Sequence, residues 1–179
     1  MIKKRGQVWV ETVIYTMIAF ALIGAVLGFV KPKIDELKDK SILEQQINTF
    51  IYMDSKITEA MQGAPGNSRQ IQISIKKGTL TINAVDDRIT FEMDSKYQNS
   101  EVGKNVDIGG GLISYTIKKG KGYFVNVTKD YKNSYDLRYN ELDENKQLTF
   151  SANMYNLQVQ NKEITVGTEK KIIANFQLT

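Results

Sequence analysis

Glu11 stands alone at the head of an uncharged run, residues 12–30, and its position asks for a chemical answer. A carboxylate held in hydrocarbon costs kilocalories, so an ionisable residue at such a place reads as functional. Once removed from water it needs a cation beside it, because an unpaired buried charge is strongly unfavourable. The modest alternative is a boundary carboxylate favoured by a helix macrodipole, worth at most about 1 kcal/mol when exposed. Other chemistry is thin. The 179 residues contain no cysteine and no histidine, which removes disulfides, thiol nucleophiles, Cys/His zinc sites and Ser-His-Asp catalysis. No spacing sets two carboxylates in a cleft, so no enzyme activity, cofactor or metal is expected. Asp143, Glu144 and Asn145 beside Glu141 offer oxygens, yet their spacing matches no calcium loop and reads as a solvated turn. The glycines of Asp107-Ile108-Gly109-Gly110-Gly111 lack the lysine and helix of a phosphate loop and read as a hairpin tip. Lys118, Lys119 and Lys121 make a basic turn of the kind that keeps a sheet edge soluble. Asn126-Val127-Thr128 is an N-glycosylation sequon, with Asn126 the candidate acceptor.

The elements that position Glu11 follow from hydropathy and charge. The run 12–30 is about 28 Å long as a helix, enough to cross a hydrocarbon core of roughly 30 Å. A cleaved secretory signal would be shorter and end in small residues; here Lys31, Pro32, Lys33, Ile34, Asp35 and Glu36 follow. Lys3, Lys4 and Arg5 precede the run, whereas mixed charges succeed it, so the positive-inside rule places the N-terminus in the cytoplasm and the remainder outside. Those three residues also supply most of the formal net charge of +4, and no nucleic-acid partner is expected. Gly24 and Gly28, four apart with Ala21 and Ala25 nearby, form a small-residue face suited to close helix packing. Trp9 and Tyr15 read as interfacial anchors.

Beyond residue 30 the helical period persists. Ile34, Leu37, Leu43, Ile47, Phe50, Ile51, Ile57 and Met61 recur at spacings near three, four and seven between charged residues. Pro32 should kink this helix or interrupt its hydrogen bonding, and the cluster from Gly63 to Ser68 should end it. From about residue 69 the pattern becomes alternating, with short apolar segments at roughly 8–12-residue spacing and turn residues between them. The expected fold is therefore α+β: a long N-terminal helix packed on an antiparallel β-sheet or small β-sandwich. The expected divisions are a basic leader (1–6), the helix (7–62, with 7–30 for the membrane or a filament core and 31–62 amphipathic), and an extracytoplasmic β domain (63–179).

The string from Lys4 through Gly6, Gln7, Val8, Trp9 and Val10 to Glu11, followed by the apolar run, resembles the class III signal peptide of type IV pilins, most closely that of archaeal pilins. In that family a membrane aspartyl peptidase cuts after the glycine, and glutamate is the fifth mature residue. The resemblance implies processing between Gly6 and Gln7, with Glu11 setting register against the α-ammonium of Gln7 on a neighbouring subunit. It implies a pilin or minor pilin that polymerises through its N-terminal helix. The implied partners are identical or related subunits, a prepilin peptidase, an assembly ATPase, a membrane platform protein, and lipid before assembly. Localisation would be a single-pass membrane precursor and then a cell-surface filament. Cyclisation of Gln7 to pyroglutamate would leave Glu11 only hydrogen bonds. The disulfide-stapled C-terminal loop of many bacterial pilins has no counterpart here. The competing reading is a signal-anchored surface β domain that binds a ligand or glycan and never polymerises.

Overall fold

The apolar run and the amphipathic stretch after it form one element. The computed structural model describes residues 4–166 and 169–179, so Lys3 and the start of the leader lie outside the described residues. Helix α1 spans Lys4–Met61 and continues through Pro32. Proline has no N–H, so the carbonyl of Gly28 lacks its usual donor one turn on. Among the described residues ten strands follow: β1 (Ser68–Ile73), β2 (Thr79–Asn83), β3 (Arg88–Ser95), β4 (Asn105–Asp107), β5 (Leu112–Lys119), β6 (Gly122–Asp130), β7 (Asp136–Tyr139), β8 (Lys146–Thr149), β9 (Tyr155–Val166) and β10 (Glu169–Leu178). The chain divides into two compact units, Met1–Lys38 and Asp39–Thr179.

In the first unit every described side chain from residue 8 to residue 34 is exposed. The second unit holds the core. Its part of α1 buries Asp39, Leu43, Gln46, Phe50, Met53, Ile57 and Ala60, an unbroken alternation of four- and three-residue steps. That spacing keeps one stripe on one side of a helix. Leu43, Phe50 and Ile57 are expected stripe residues that the core buries, whereas Ile34, Leu37 and Ile51 are exposed.

Two sheets receive this stripe. One has the order β1-β9-β10-β7 and the other β4-β5-β6-β3-β2-β8. All pairs are antiparallel except β7 with β10, which is parallel, so the first sheet is mixed and not purely antiparallel. Ile71 and Ile73 of β1, Phe91 of β3, Val127 of β6, Val159 of β9 and Phe176 of β10 join the helical stripe in one cluster. Fully burying a side chain of this kind contributes roughly 1.5–3 kcal/mol. The α+β architecture, a long helix packed on sheet, is therefore established. Gly78 shows how tightly the β2–β3 region closes: its φ is +87°, and a Cβ there would lie 2.3 Å from the Glu92 carbonyl oxygen.

Candidate assembly segment and polar sheet face

Glu11 lies on the exposed N-terminal part of α1 and, among the described residues, makes no ion pair or side-chain hydrogen bond. Gly6 and Gln7 fall within α1 by backbone, and the Gln7 side chain lies outside those described. The nearby hydroxyls are satisfied within the helix: Thr12 Oγ1 donates to the Val8 carbonyl at 2.9 Å and Thr16 Oγ1 to the Thr12 carbonyl at 2.8 Å. Glu11 is thus the charge that the apolar segment leaves open. Nothing lies within 4 Å of the space a Cβ would take at Gly24 or Gly28, so that face is free to approach another surface. Trp9 and Tyr15 are exposed. By length and composition the helix could cross a membrane, and none of its most apolar stretch is buried.

The helical stripe in the second unit is fastened by polar groups as well as apolar ones. Asp39 Oδ1 receives Lys77 Nζ at 2.5 Å, and its Oδ2 receives the Lys96 N–H at 2.7 Å. Gln46 Nε2 donates to the Ser74 carbonyl at 3.0 Å. Asp54 accepts from the Tyr131 hydroxyl at 3.2 Å and pairs with Lys129 Nζ at 2.8 Å. Burial, and then the charge of Asp54, push the Tyr131 hydroxyl far above the ordinary tyrosine range. The last carbonyls of α1 have few backbone donors left, although that of Ala60 accepts from the Gly63 N–H at 3.3 Å. Asn67 Nδ2 donates to those of Glu59 and Ala60 at 3.2 and 3.1 Å, and Asn161 Nδ2 to that of Met61 at 3.3 Å and to the Gly63 carbonyl just past the helix at 2.8 Å.

The sequon lies elsewhere than on a loop. Asn126 sits in β6, inside the six-stranded sheet, half-buried on the face away from the core. Its Nδ2 donates to Glu92 Oε1 at 2.9 Å, and its Oδ1 accepts from Thr128 Oγ1 at 2.8 Å. Thr128 Oγ1 is also 3.2 Å from Thr90 Oγ1. This chain crosses β3 and β6 and floors a groove of about 520 Å³ that Arg88, Tyr115 and Gln147 also line. The sequence shows Asn126 as a sequon in an apolar strand, and the groove around it does not show there. The available signal was the polar half of the alternation in β2, β3 and β6, which registry then brings side by side.

The remaining polar and basic clusters are occupied by local partners. Glu141 pairs with Lys162 and Asp143 with Arg138. Lys119 Nζ lies 2.9 Å from Asp94 Oδ1. The Gly110 carbonyl accepts from Lys129 Nζ at 2.7 Å. Comparison with protein-family models, with curated proteins and with solved structures finds no match to this chain.

Proposed function

We propose that this chain is a non-enzymatic structural subunit of a type IV pilus-like filament of the archaeal kind, cut between Gly6 and Gln7 and polymerised through α1. The observation that carries the reading is Glu11, an unpaired carboxylate on a wholly exposed apolar helix whose continuation is locked into a β domain. An exposed apolar segment of that length must be covered by lipid or by other helices. Lipid serves the precursor, where Glu11 can reach headgroups and water. Neighbouring helices serve the filament, where a carboxylate needs a positive partner, and the α-ammonium that cleavage creates at Gln7 supplies one. A buried ion pair of this type is best regarded as a register device, since its net stabilisation is small. Gly24 and Gly28 lie on the open face that close helix packing would use.

Intact-mass analysis after co-expression with a prepilin peptidase tests the route. The expected product lacks residues 1–6, with Gln7 free or cyclised. Filament imaging then compares the wild type with Glu11→Ala, which should be processed normally but assemble poorly. A chain that keeps Lys3, Lys4 and Arg5 beside an active peptidase defeats the proposal, leaving the signal-anchored surface domain as the better account.

A further inference from the structure

The outer face of the six-stranded sheet differs from an ordinary solvated sheet face. Its groove is lined by five carboxamides, three threonines, one tyrosine, one arginine and one glutamate, with no lysine. The face places a lysine, Lys119, only at its end, where it pairs with Asp94, and none among the residues that line the groove, although the chain carries 24 lysines and arginines. The two charges are of opposite sign, so the groove as a whole favours neither an anion nor a cation. Its volume falls in the range of small-molecule sites.

The polar atoms are held in place beforehand. Both ends of the Asn126 carboxamide are fixed, by Glu92 and Thr128, and Thr128 in turn meets Thr90. Arg88 is under-used: its buried Nε has no hydrogen-bond partner among the described residues, and Asp86 Oδ2 stands 3.7 Å from its Nη2. Along β5 the same face carries Ile113, Tyr115 and Ile117, so an apolar strip borders the hydrogen-bonding chain. Carboxamides and hydroxyls both donate and accept, which suits ligands whose groups do the same. A ligand rich in hydroxyls on one side and in C–H bonds on the other matches both halves.

We infer that this groove binds a neutral oligosaccharide, its hydroxyls on Asn126, Glu92 and Arg88 and its C–H face on the Tyr115 ring. Fixed polar groups lower the ordering cost of binding. The assignment does not depend on polymerisation, because every residue in it belongs to the second unit.

The test uses the full chain in lipid nanodiscs free of sugar detergents. Maltopentaose, cellopentaose, chitopentaose and mannotriose are each titrated by calorimetry and saturation-transfer NMR. At least one should bind with a dissociation constant of about 1 mM or tighter, and Tyr115→Ala should weaken it about tenfold. Asn126→Ala should do the same, and thermal melts establish that both variants are folded. Tyr115→Ala keeps the test decisive if loss of the Asn126 hydrogen bonds unfolds the sheet. Absence of binding by all four sugars overturns the assignment, as does binding unchanged in both variants. An acidic pentagalacturonate that binds more tightly and is lost with Arg88→Gln would replace the neutral ligand with an anionic one. A covalent glycan on Asn126, read by intact mass, would mean that the groove holds an attached chain and not a free ligand.

Discussion

Asp39 retains only 6% of its surface in contact with solvent, yet it sits in a helical stripe that, Gln46 apart, turns inward for hydrophobic reasons. Its two oxygens have separate partners, a lysine ammonium and a backbone N–H, so a buried charge is offset by charge-assisted hydrogen bonds. Removing it leaves the Lys96 N–H without an acceptor, whereas Asn keeps one oxygen for that donor. We expect Asp39→Ala to destabilise the protein by roughly 1–3 kcal/mol, with Asp39→Asn intermediate and Lys77→Ala the mildest, since the Lys77 side chain is 39% exposed. Urea midpoints of the three variants check the ordering, and an Asp39→Ala protein as stable as wild type would show that the carboxylate anchors nothing. The stripe also shows what hydrophobicity can read. Leu43, Phe50 and Ile57 were legible because apolar residues at that period demand cover. Asp39 and Gln46 were not, because their partners lie 38 and 28 residues away. Phe50 tests the apolar part: Phe50→Ala should cost about 3–5 kcal/mol by the same measurement.

Among the strands, β7 is short and parallel to β10, a pairing slightly weaker per residue than an antiparallel one. Ion pairs reinforce it. Asp136 binds Arg138 Nε at 2.8 Å and also pairs with Lys171 of β10, while Arg138 pairs with Asp143. Burial alone would raise the Asp136 pKa; hydrogen bonds and charge from Lys171 and Arg138 outweigh it and hold the carboxyl below its ordinary value of 3.8. A depressed folded pKa means stability that is present above that ordinary value and is lost as pH falls through the lower one. Asp87 has the opposite sign. Burial raises its pKa despite the Leu137 N–H at 2.8 Å, so its contribution is present below the ordinary value and is lost as pH rises through the folded one. Asp136→Asn should therefore be less stable than wild type at pH 7, with the gap closing below about pH 3.8, while Asp87→Asn should be most favourable relative to wild type at neutral pH. Denaturant midpoints between pH 7 and pH 2 measure both. Strand positions were legible wherever alternation was strong, as in β2 and β3. Elsewhere long-range partners decided the outcome. The segments 157–159 and 164–166 fuse into β9 because β10 pairs along them. In β5, Ser114 and Thr116 turn inward in place of Ile113 and Ile117, since Ser100 and Asn99 meet their hydroxyls at 2.7–3.1 Å.

At the scale of the whole molecule, the two units are stabilised by different means. The second contains its own cluster of helix and sheet residues, capped helix carbonyls and paired charges. Among the described residues, nothing covers the apolar side chains of the first from residue 8 to residue 34. Folding of the second unit should therefore be independent of the first, while the solubility of the whole is governed by the first. A chain beginning at Asp39 should be a soluble monomer whose melting temperature lies within a few degrees of the full-length protein in nanodiscs, provided Asp39 keeps its pair with Lys77. The full chain in aqueous buffer without lipid or amphiphile should associate through the exposed helix, and Glu11→Leu should strengthen that association by deleting its charge. Light scattering and thermal melts of the three proteins decide the matter. If the chain beginning at Asp39 fails to fold, the apolar helix is part of the folding unit and not an appended assembly surface. If it folds but the full chain stays monomeric in buffer, the apolar helix is covered by the chain itself, and the case for lipid or neighbouring subunits as its cover collapses with it.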